Sequence, residues 1–546
     1  MSDSKKNSFY ISGIILALAS VISRLIGLFF RVPLTRILGD TGYGAYSNAY
    51  AIYNLALLLS TFGMPTAISR LVSKRETLKE YKSSYKVFRV GLILSSVLGL
   101  IMSVIVWFFA ENIALFLTKS AQSAIPLKAL APTIFVFSLL GVFRGFFQGK
   151  NTMIPTSVSQ ILEQIVHVIS GLIFAKLFLN IYEDSINRYA YGACGATLGT
   201  LMGAIIALLF LLCIYLMYKP YLRQRIIKDK NDPESTKVIL FSIIFTVLPI
   251  ILNQVLYSLT GNLDQLLYNN ILNQKGIGEE IRLVSFGRYN GKFIVLTNIP
   301  LAIASAIGVA IIPNITRAFE KKDKEALYSN IYKAVKFNMM IAIPCTFGLM
   351  VLASPIMSVL FGDTSEMSER LMLIGGISII FYAYSTTTNN ILQGMGKFRF
   401  PVIHACVGIV IYAFTDVMLL MFTNLNIYVL AIGYSVFPLV IGILNFFTIR
   451  HETGYRQEVL KTFVFPFIFS VYMAAAAYFS YKGLYNLFKN EIVSLILAIT
   501  VGILVYALFM LLTNTITKEE LTELPFGTKI IKILKKTGFL NERKFD

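Results

Sequence analysis

The apolar run from Phe9 to Leu38, FYISGIILALASVISRLIGLFFRVPLTRIL, carries Arg24 and Arg31 in its interior. A run of this length crosses a bilayer, which takes about 20 residues. A guanidinium near mid-membrane costs about 2.5–3.5 kcal/mol on the insertion scale, so it persists only beside water or an anion. At about 3.6 residues per turn, Arg24 and Arg31 share one helix face and stand about 10 Å apart along the axis. Such a face suits a cavity that receives an anionic head group. Snorkelling to the interface is the competing reading, more open for Arg31 than for Arg24.

The rest of the chain is of the same kind. Apolar residues make up 56% of the 546 and charged residues 14%, which predicts an all-α polytopic membrane protein rather than soluble domains. With short connections there is room for about 14 transmembrane helices. The net charge of +20 raises nucleic acid as a partner until the basic residues are located. They fall in alternate loops: Arg70, Lys74, Arg75, Lys79 and Lys82, then Lys219 to Lys230, then Arg317 to Lys324, Lys397 with Arg399, and Arg450 with Arg456. The intervening loops are neutral or acidic, as at Glu183–Asp184, Glu279–Glu280 and Asp363–Glu369. An even number of spans with both termini cytoplasmic satisfies the positive-inside rule, and the case for nucleic acid falls away. Cys194, Cys213, Cys345 and Cys406 lie in apolar segments without C-x-x-C spacing, so neither a disulfide frame nor a zinc site is implied. The first run is read as a retained span, since it is too long for a signal-peptide core. Thr528 to Leu540 sets isoleucines against lysines, a basic amphipathic segment suited to an anionic leaflet.

An internal repeat organises the spans. Gly44-Ala-Tyr46 leads into a run ending Pro65-Thr-Ala-Ile68-Ser-Arg70, and Gly287-Arg-Tyr289 into one ending Pro313-Asn-Ile315-Thr-Arg317. Gln148-Gly149-Lys150 with Pro155 echoes Gln393-Gly394 with Lys397 and Pro401. The shared offset of about 245 residues predicts two six-helix lobes in parallel repeat, with a substrate site between them near mid-membrane. The expected division is 1–235 for the first lobe, 236–455 for the second, 456–514 for two additional transmembrane helices and 515–546 for the basic tail.

These residues, with Ser23 to Arg31 (SRLIGLFFR) and the turn Gly39-Asp-Thr-Gly42-Tyr-Gly44, carry a resemblance. Over essentially its whole length the chain resembles the polysaccharide-export branch of the multidrug/oligosaccharidyl-lipid/polysaccharide exporter superfamily. Within that branch it is similar to the stage V sporulation protein B-like proteins and to the lipid II flippases of Gram-positive bacteria. The resemblance implies a bacterial plasma-membrane flippase, not an enzyme. Such a flippase carries an undecaprenyl-diphosphate-linked saccharide, lipid II or a related cell-wall precursor, from the inner to the outer leaflet by alternating access. No cofactor is expected beyond coupling to a monovalent cation, a proton or the membrane potential. The expected partners are the lipid-linked substrate and membrane lipids, and the expected state is a monomer.

The candidate residues follow from that chemistry. Arginine's planar fork bonds two diphosphate oxygens at once, and Arg24 and Arg31 match arginines the family carries on its first span. Arg288 and Lys292 lie four residues apart on the eighth span, near 284–312, and complete a cationic ring; an interfacial anchor is the alternative for Lys292. Tyr46, Tyr50 and Tyr53 share a face and are candidates for stacking on sugar rings, with an interfacial belt as the alternative. For ion coupling, Glu163 and His167 share a face of the fifth span and could exchange a proton or simply hydrogen-bond. Asp264 is placed where the seventh span meets the outside, either neutralising a cavity arginine or solvated. Asp416 of the eleventh span, with Asn253 of the seventh, resembles a sodium site of some family members. Asn389 and Asn390 line a pathway or bond helix to helix. No G-x-x-x-x-G-K-[ST] loop occurs, so ATP is not the direct driver. A cation-coupled multidrug exporter is the alternative within transport, though it would want an acidic cavity. A membrane glycosyltransferase would want acids or a metal site in a sizeable outer loop, and the longest outer loop, near Gly261 to Arg282, is only about twenty residues without a histidine or clustered acids.

Overall fold

The computed structural model describes residues 3–61, 63–150, 152–513 and 515–516; the side chains at 3–21, 24, 25, 28, 61, 249, 250, 252–260, 303 and 305–313 lie outside that description. The described chain is helical throughout. In order the helices are α1 (Asp3–Thr61), α2 (Met64–Thr77), α3 (Tyr81–Thr118), α4 (Ala124–Gly149), α5 (Ile154–Ile181), α6 (Arg188–Lys228), α7 (Thr236–Gln274) and α8 (Glu279–Arg288). A π turn, Tyr289–Phe293, joins α8 to α9 (Ile294–Glu320). There follow α10 (Lys324–Val351), α11 (Ala353–Phe361), α12 (Glu366–Gly375), α13 (Ser378–Gly394), α14 (Arg399–Phe422), α15 (Tyr428–Thr453), a second π turn (Leu460–Val464), α16 (Phe465–Phe488) and α17 (Glu491–Leu512).

The helices sort their side chains as membrane helices do. On α3 the small and polar Ser95, Gly99 and Ser103 are buried, while Ile93, Val97, Ile101, Val104 and Phe108 are exposed. Large apolar groups face outward because lipid solvates them, and small ones face inward because they let backbones approach. On α6 the row Gly195, Gly199 and Gly203 meets α5 so closely that added Cβ atoms would strike Phe174 O at 2.3 Å, Gly171 Cα at 2.4 Å and Glu163 O at 2.6 Å. Eleven stretches among the described residues are long and apolar enough to span a membrane. The chain is an all-helical, multi-pass membrane protein.

Packing divides the chain into two compact units, Met1–Val295 with Ala413–Leu430, and Leu296–Tyr412 with Ala431–Asp546. In the first, one core gathers Ile68, Phe88, Phe146 and Leu211 from α2, α3, α4 and α6, and another joins Phe30, Leu38 and Tyr46 of α1 to Ala175, Ala196 and Leu283. In the second, Ile331, Met339, Ile379, Leu392 and Ile449 form the core. These units follow packing and differ from the repeat-based boundaries at 235 and 455.

Three readings from the sequence are corrected. The turn expected over Gly39 to Gly44 is a single residue: Gly39, at φ 66° and ψ 177°, leaves the helix, and Asp40 to Gly44 resume it. That conformation is open essentially only to glycine. The outer loop read from Gly261 to Arg282 is mostly helix, since α7 continues to Gln274 and α8 begins at Glu279. Asp264 therefore sits about 15 Å inside the end of α7 instead of at a boundary; Tyr289 donates to it, and its neighbour Gln265 bonds Asn48 within the protein. The amphipathic segment Thr528 to Leu540 lies outside the described residues.

Candidate functional site

Just beyond the Gly39 break, α1 runs against α8 with almost no side-chain spacing. A Cβ on Gly44 would sit 2.2 Å from Leu283 O, and one on Gly287 would sit 2.0 Å from Asp40 O. The contact is reciprocal: each glycine faces the carbonyl one helical turn before its counterpart. Gly291 continues it, for a Cβ there would sit 2.7 Å from the Tyr43 ring. Arg282, nearly fully buried, donates to Asn273 Oδ1 at 2.7 Å and to Lys119 O at 2.9 Å. A chain of hydrogen bonds runs from Gln265 to Asn48 (2.7 Å), Ser123 (3.2 Å), Ser120 (3.0 Å) and Glu279 (2.8 Å).

This close approach brings Arg288 and Lys292 onto one acid. Arg288 Nε lies 2.7 Å from Asp40 Oδ2 and Lys292 Nζ 2.5 Å from Asp40 Oδ1. The Lys292 side chain is only 5% exposed, so it is no interfacial anchor. A buried ammonium persists when paired, and Asp40 supplies the pair. Asp40 was not among the candidates; its signal was an acid directly after a helix-breaking glycine between two apolar runs.

A second centre lies in the same unit. Asp264 and Asp416 are both buried, at 6% and 0% exposure, and within electrostatic reach of each other. Tyr289 donates its hydroxyl to Asp264 Oδ2 at 3.1 Å. Among the described residues, Asp264 Oδ1 and both Asp416 oxygens find no hydrogen-bond partner. Carboxylate oxygens so placed suit a proton or a monovalent cation, because an unpaired buried charge is costly. Asp264 thus neither meets a cavity arginine nor faces solvent. The side chain of Asn253, the partner expected for Asp416, lies outside the described residues.

A third group surrounds Arg31. Its side chain is half-buried, about 12 Å along α1 from the Gly39 break, and within electrostatic reach of the hydroxyls of Tyr43, Tyr46 and Tyr50. Among the described residues no carboxylate pairs with it. Tyr43, Tyr46, Tyr50 and Tyr53 form a ladder with successive ring centroids 5.4, 4.6 and 5.6 Å apart. Tyr46 and Tyr53 are buried, and Tyr50 is half-buried. Its hydroxyl bonds Thr200 Oγ1, which lies 3.3 Å from His167 Nε2. Glu163 and His167 take different partners instead of each other, for Arg144 Nη2 is 2.7 Å from Glu163 Oε2. Arg144 was overlooked in the fourth span, where a lone basic residue is itself a signal. Arg24 lies in α1 with its side chain outside the description. Asn389 accepts from Asn445 Nδ2 at 2.9 Å, a helix-to-helix bond.

Residues 11–319 match the polysaccharide biosynthesis protein family, and residues 293–418 match the MatE family. Lipid II flippase MurJ of Bacillus subtilis (strain 168) is 27% identical over 484 residues, covering 85% of this chain and 86% of that protein. Stage V sporulation protein B of the same organism is 23% identical over 531 residues, covering 96% and 99%. A solved structure of lipid II flippase MurJ in an inward closed conformation superposes with a TM-score of 0.66 at 18% identity, covering 92% of this chain and 98% of that one. The fold is of that type.

Proposed function

The chain belongs to the polysaccharide biosynthesis protein family of the multidrug/oligosaccharidyl-lipid/polysaccharide exporter superfamily, and on that premise we propose that it is a flippase for a lipid-linked, diphosphate-bearing saccharide. Lipid II or a related wall or polysaccharide precursor is the cargo, carried from the inner to the outer leaflet by alternating access. Arg31 carries this reading: a half-buried guanidinium beside tyrosine hydroxyls, with no carboxylate partner among the described residues. An anionic head group supplies what the protein does not, and the guanidinium meets it in fork geometry. Arg24, seven residues before Arg31 in the sequence, is the second candidate for that head group. Arg288 and Lys292 are held on Asp40 and pass to the diphosphate when Asp40 withdraws.

The Asp264–Asp416 pair is the coupling site, where a proton or monovalent cation enters the three orphaned oxygens. The reciprocal Gly44–Leu283 and Gly287–Asp40 contacts support a repeat of two lobes, 1–235 and 236–455, ahead of the helices in 456–514. The alternation of basic loops supports a plasma-membrane orientation with both termini cytoplasmic.

Native mass spectrometry of the purified protein with an undecaprenyl-diphosphate saccharide and a neutral lipid tests the anion site. Losing charge-assisted bonds weakens binding by about 10- to 100-fold. Arg31→Ala is therefore expected to lose selectivity for the diphosphate lipid by that factor, with Arg31→Lys intermediate. Full selectivity in Arg31→Ala removes Arg31 from the site, and no selectivity in the wild type favours a multidrug exporter.

A further inference from the structure

The helix that begins at Glu279 and ends at Glu320 departs from α geometry only at Tyr289–Phe293. A π turn inserts one residue into the helical register, is intrinsically unfavourable, and is kept where side chains need the altered aim. Here it aims two side chains at two different acids. Tyr289, its first residue, reaches Asp264 Oδ2 at 3.1 Å. Lys292, its fourth, reaches Asp40 Oδ1 at 2.5 Å, and Arg288, immediately before the turn, reaches Asp40 Oδ2 at 2.7 Å. On an α-helix, residues three apart lie within about 60° of each other; the wider π turn spreads Tyr289 and Lys292 apart. The turn is also pressed from one side, because the Tyr43 ring leaves no room for a Cβ at Gly291.

We infer that this π turn links the buried carboxylate pair to the cations held on Asp40, with Tyr289 as the positioning residue. The inference rests on the Asp264–Asp416 pair being the coupling site. While Asp264 is ionised, the Tyr289 hydroxyl donates to it and the π register is held. When a proton or cation neutralises the pair, that bond weakens, and the hydroxyl shifts toward the Leu430 carbonyl at 3.4 Å. The turn then relaxes toward α geometry, which changes the aim of Arg288 and Lys292 and takes them off Asp40. The cations become available to an anionic head group when the coupling site is filled. The titratable groups facing this relay are Asp416 from α14, Asp40 and Tyr43 from α1, and Arg288 and Lys292 at the turn. Tyr268 of α7 stacks on Phe286 with centroids 5.8 Å apart.

Hydrogen–deuterium exchange of the full chain in lipid nanodiscs tests the relay without a transport assay. Two contrasts are read, corrected for intrinsic exchange: sodium against choline chloride at constant ionic strength, and pH 8 against pH 6. In the wild type, peptides covering 286–295 are expected to change exchange rate on the order of threefold or more, together with peptides covering 259–268. In Tyr289→Phe the response at 286–295 should vanish while that at 259–268 persists. Asp264→Asn keeps an acceptor for Tyr289 but not its charge, and should hold the turn in its neutral-state exchange under every condition. A wild-type response at the turn in Tyr289→Phe, or a turn that stays silent while 259–268 responds, overturns the relay alone. Silence in both segments of the wild type overturns the carboxylate reading and the relay with it. Thermal unfolding of each variant separates these outcomes from misfolding.

Discussion

Two buried polar clusters, one in each packing unit, are built on opposite terms. Between α13, α14 and α15, Asn445 donates to Thr388 Oγ1 and to Asn389 Oδ1, both at 2.9 Å, which leaves its own oxygen to accept from His404 Nδ1 at 2.7 Å. His404 Nε2 meets Thr448 Oγ1 at 3.4 Å. With both amide hydrogens committed, the network assigns the His404 proton to Nδ1. In the other unit, Asp264 and Asp416 hold three oxygens without partners among the described residues. Where hydrocarbon surrounds the helices, a closed network ties them together, while an open one has to be completed from outside. The first cluster is closed on itself, and the second is open.

Changes to the open cluster should cost transport and not stability. Asp416→Asn removes a buried charge and its repulsion with Asp264. It is expected to lower cation- or proton-driven lipid flux on the order of 100-fold while leaving the melting temperature unchanged or raised. Flux in proteoliposomes, read beside a thermal melt, decides it; a destabilised but active variant would make the pair structural. The closed cluster should behave the other way. Asn445→Leu strands the donors and acceptors around it at a cost of about 1–3 kcal/mol, visible as earlier unfolding, with flux per folded molecule retained. A selective loss of flux instead would place this cluster on the transport path and dissolve the contrast. The smallest effect is expected from Thr448→Val, which removes one long bond to His404 and should cost at most about 1 kcal/mol.

Much of this architecture was legible beforehand. The all-helical, multi-pass character of the chain and the place of Arg31 inside its first apolar run came from runs and charges along the sequence. The acids were harder. Asp40 looked like part of a turn, Asp264 like a loop residue and Tyr289 like one aromatic among many, because their roles depend on partners far away in the chain. Arg288 and Asp40 are separated by 248 residues and Gln265 and Asn48 by 217.

What the sequence determined by itself is that this is a multi-pass helical membrane protein with charge placed where hydrocarbon penalises it. Transfer free energy is a property of each segment's own composition, so any stretch of about 20 apolar residues declares itself wherever it packs. Only the tertiary structure decided which charges are satisfied, setting Lys292 and Arg288 on Asp40 while leaving Arg31 and the Asp264–Asp416 pair without such partners among the described residues. A buried charge is stabilised or stranded by atoms a few ångströms away, and in a helical bundle those atoms come from segments that no local pattern brings together.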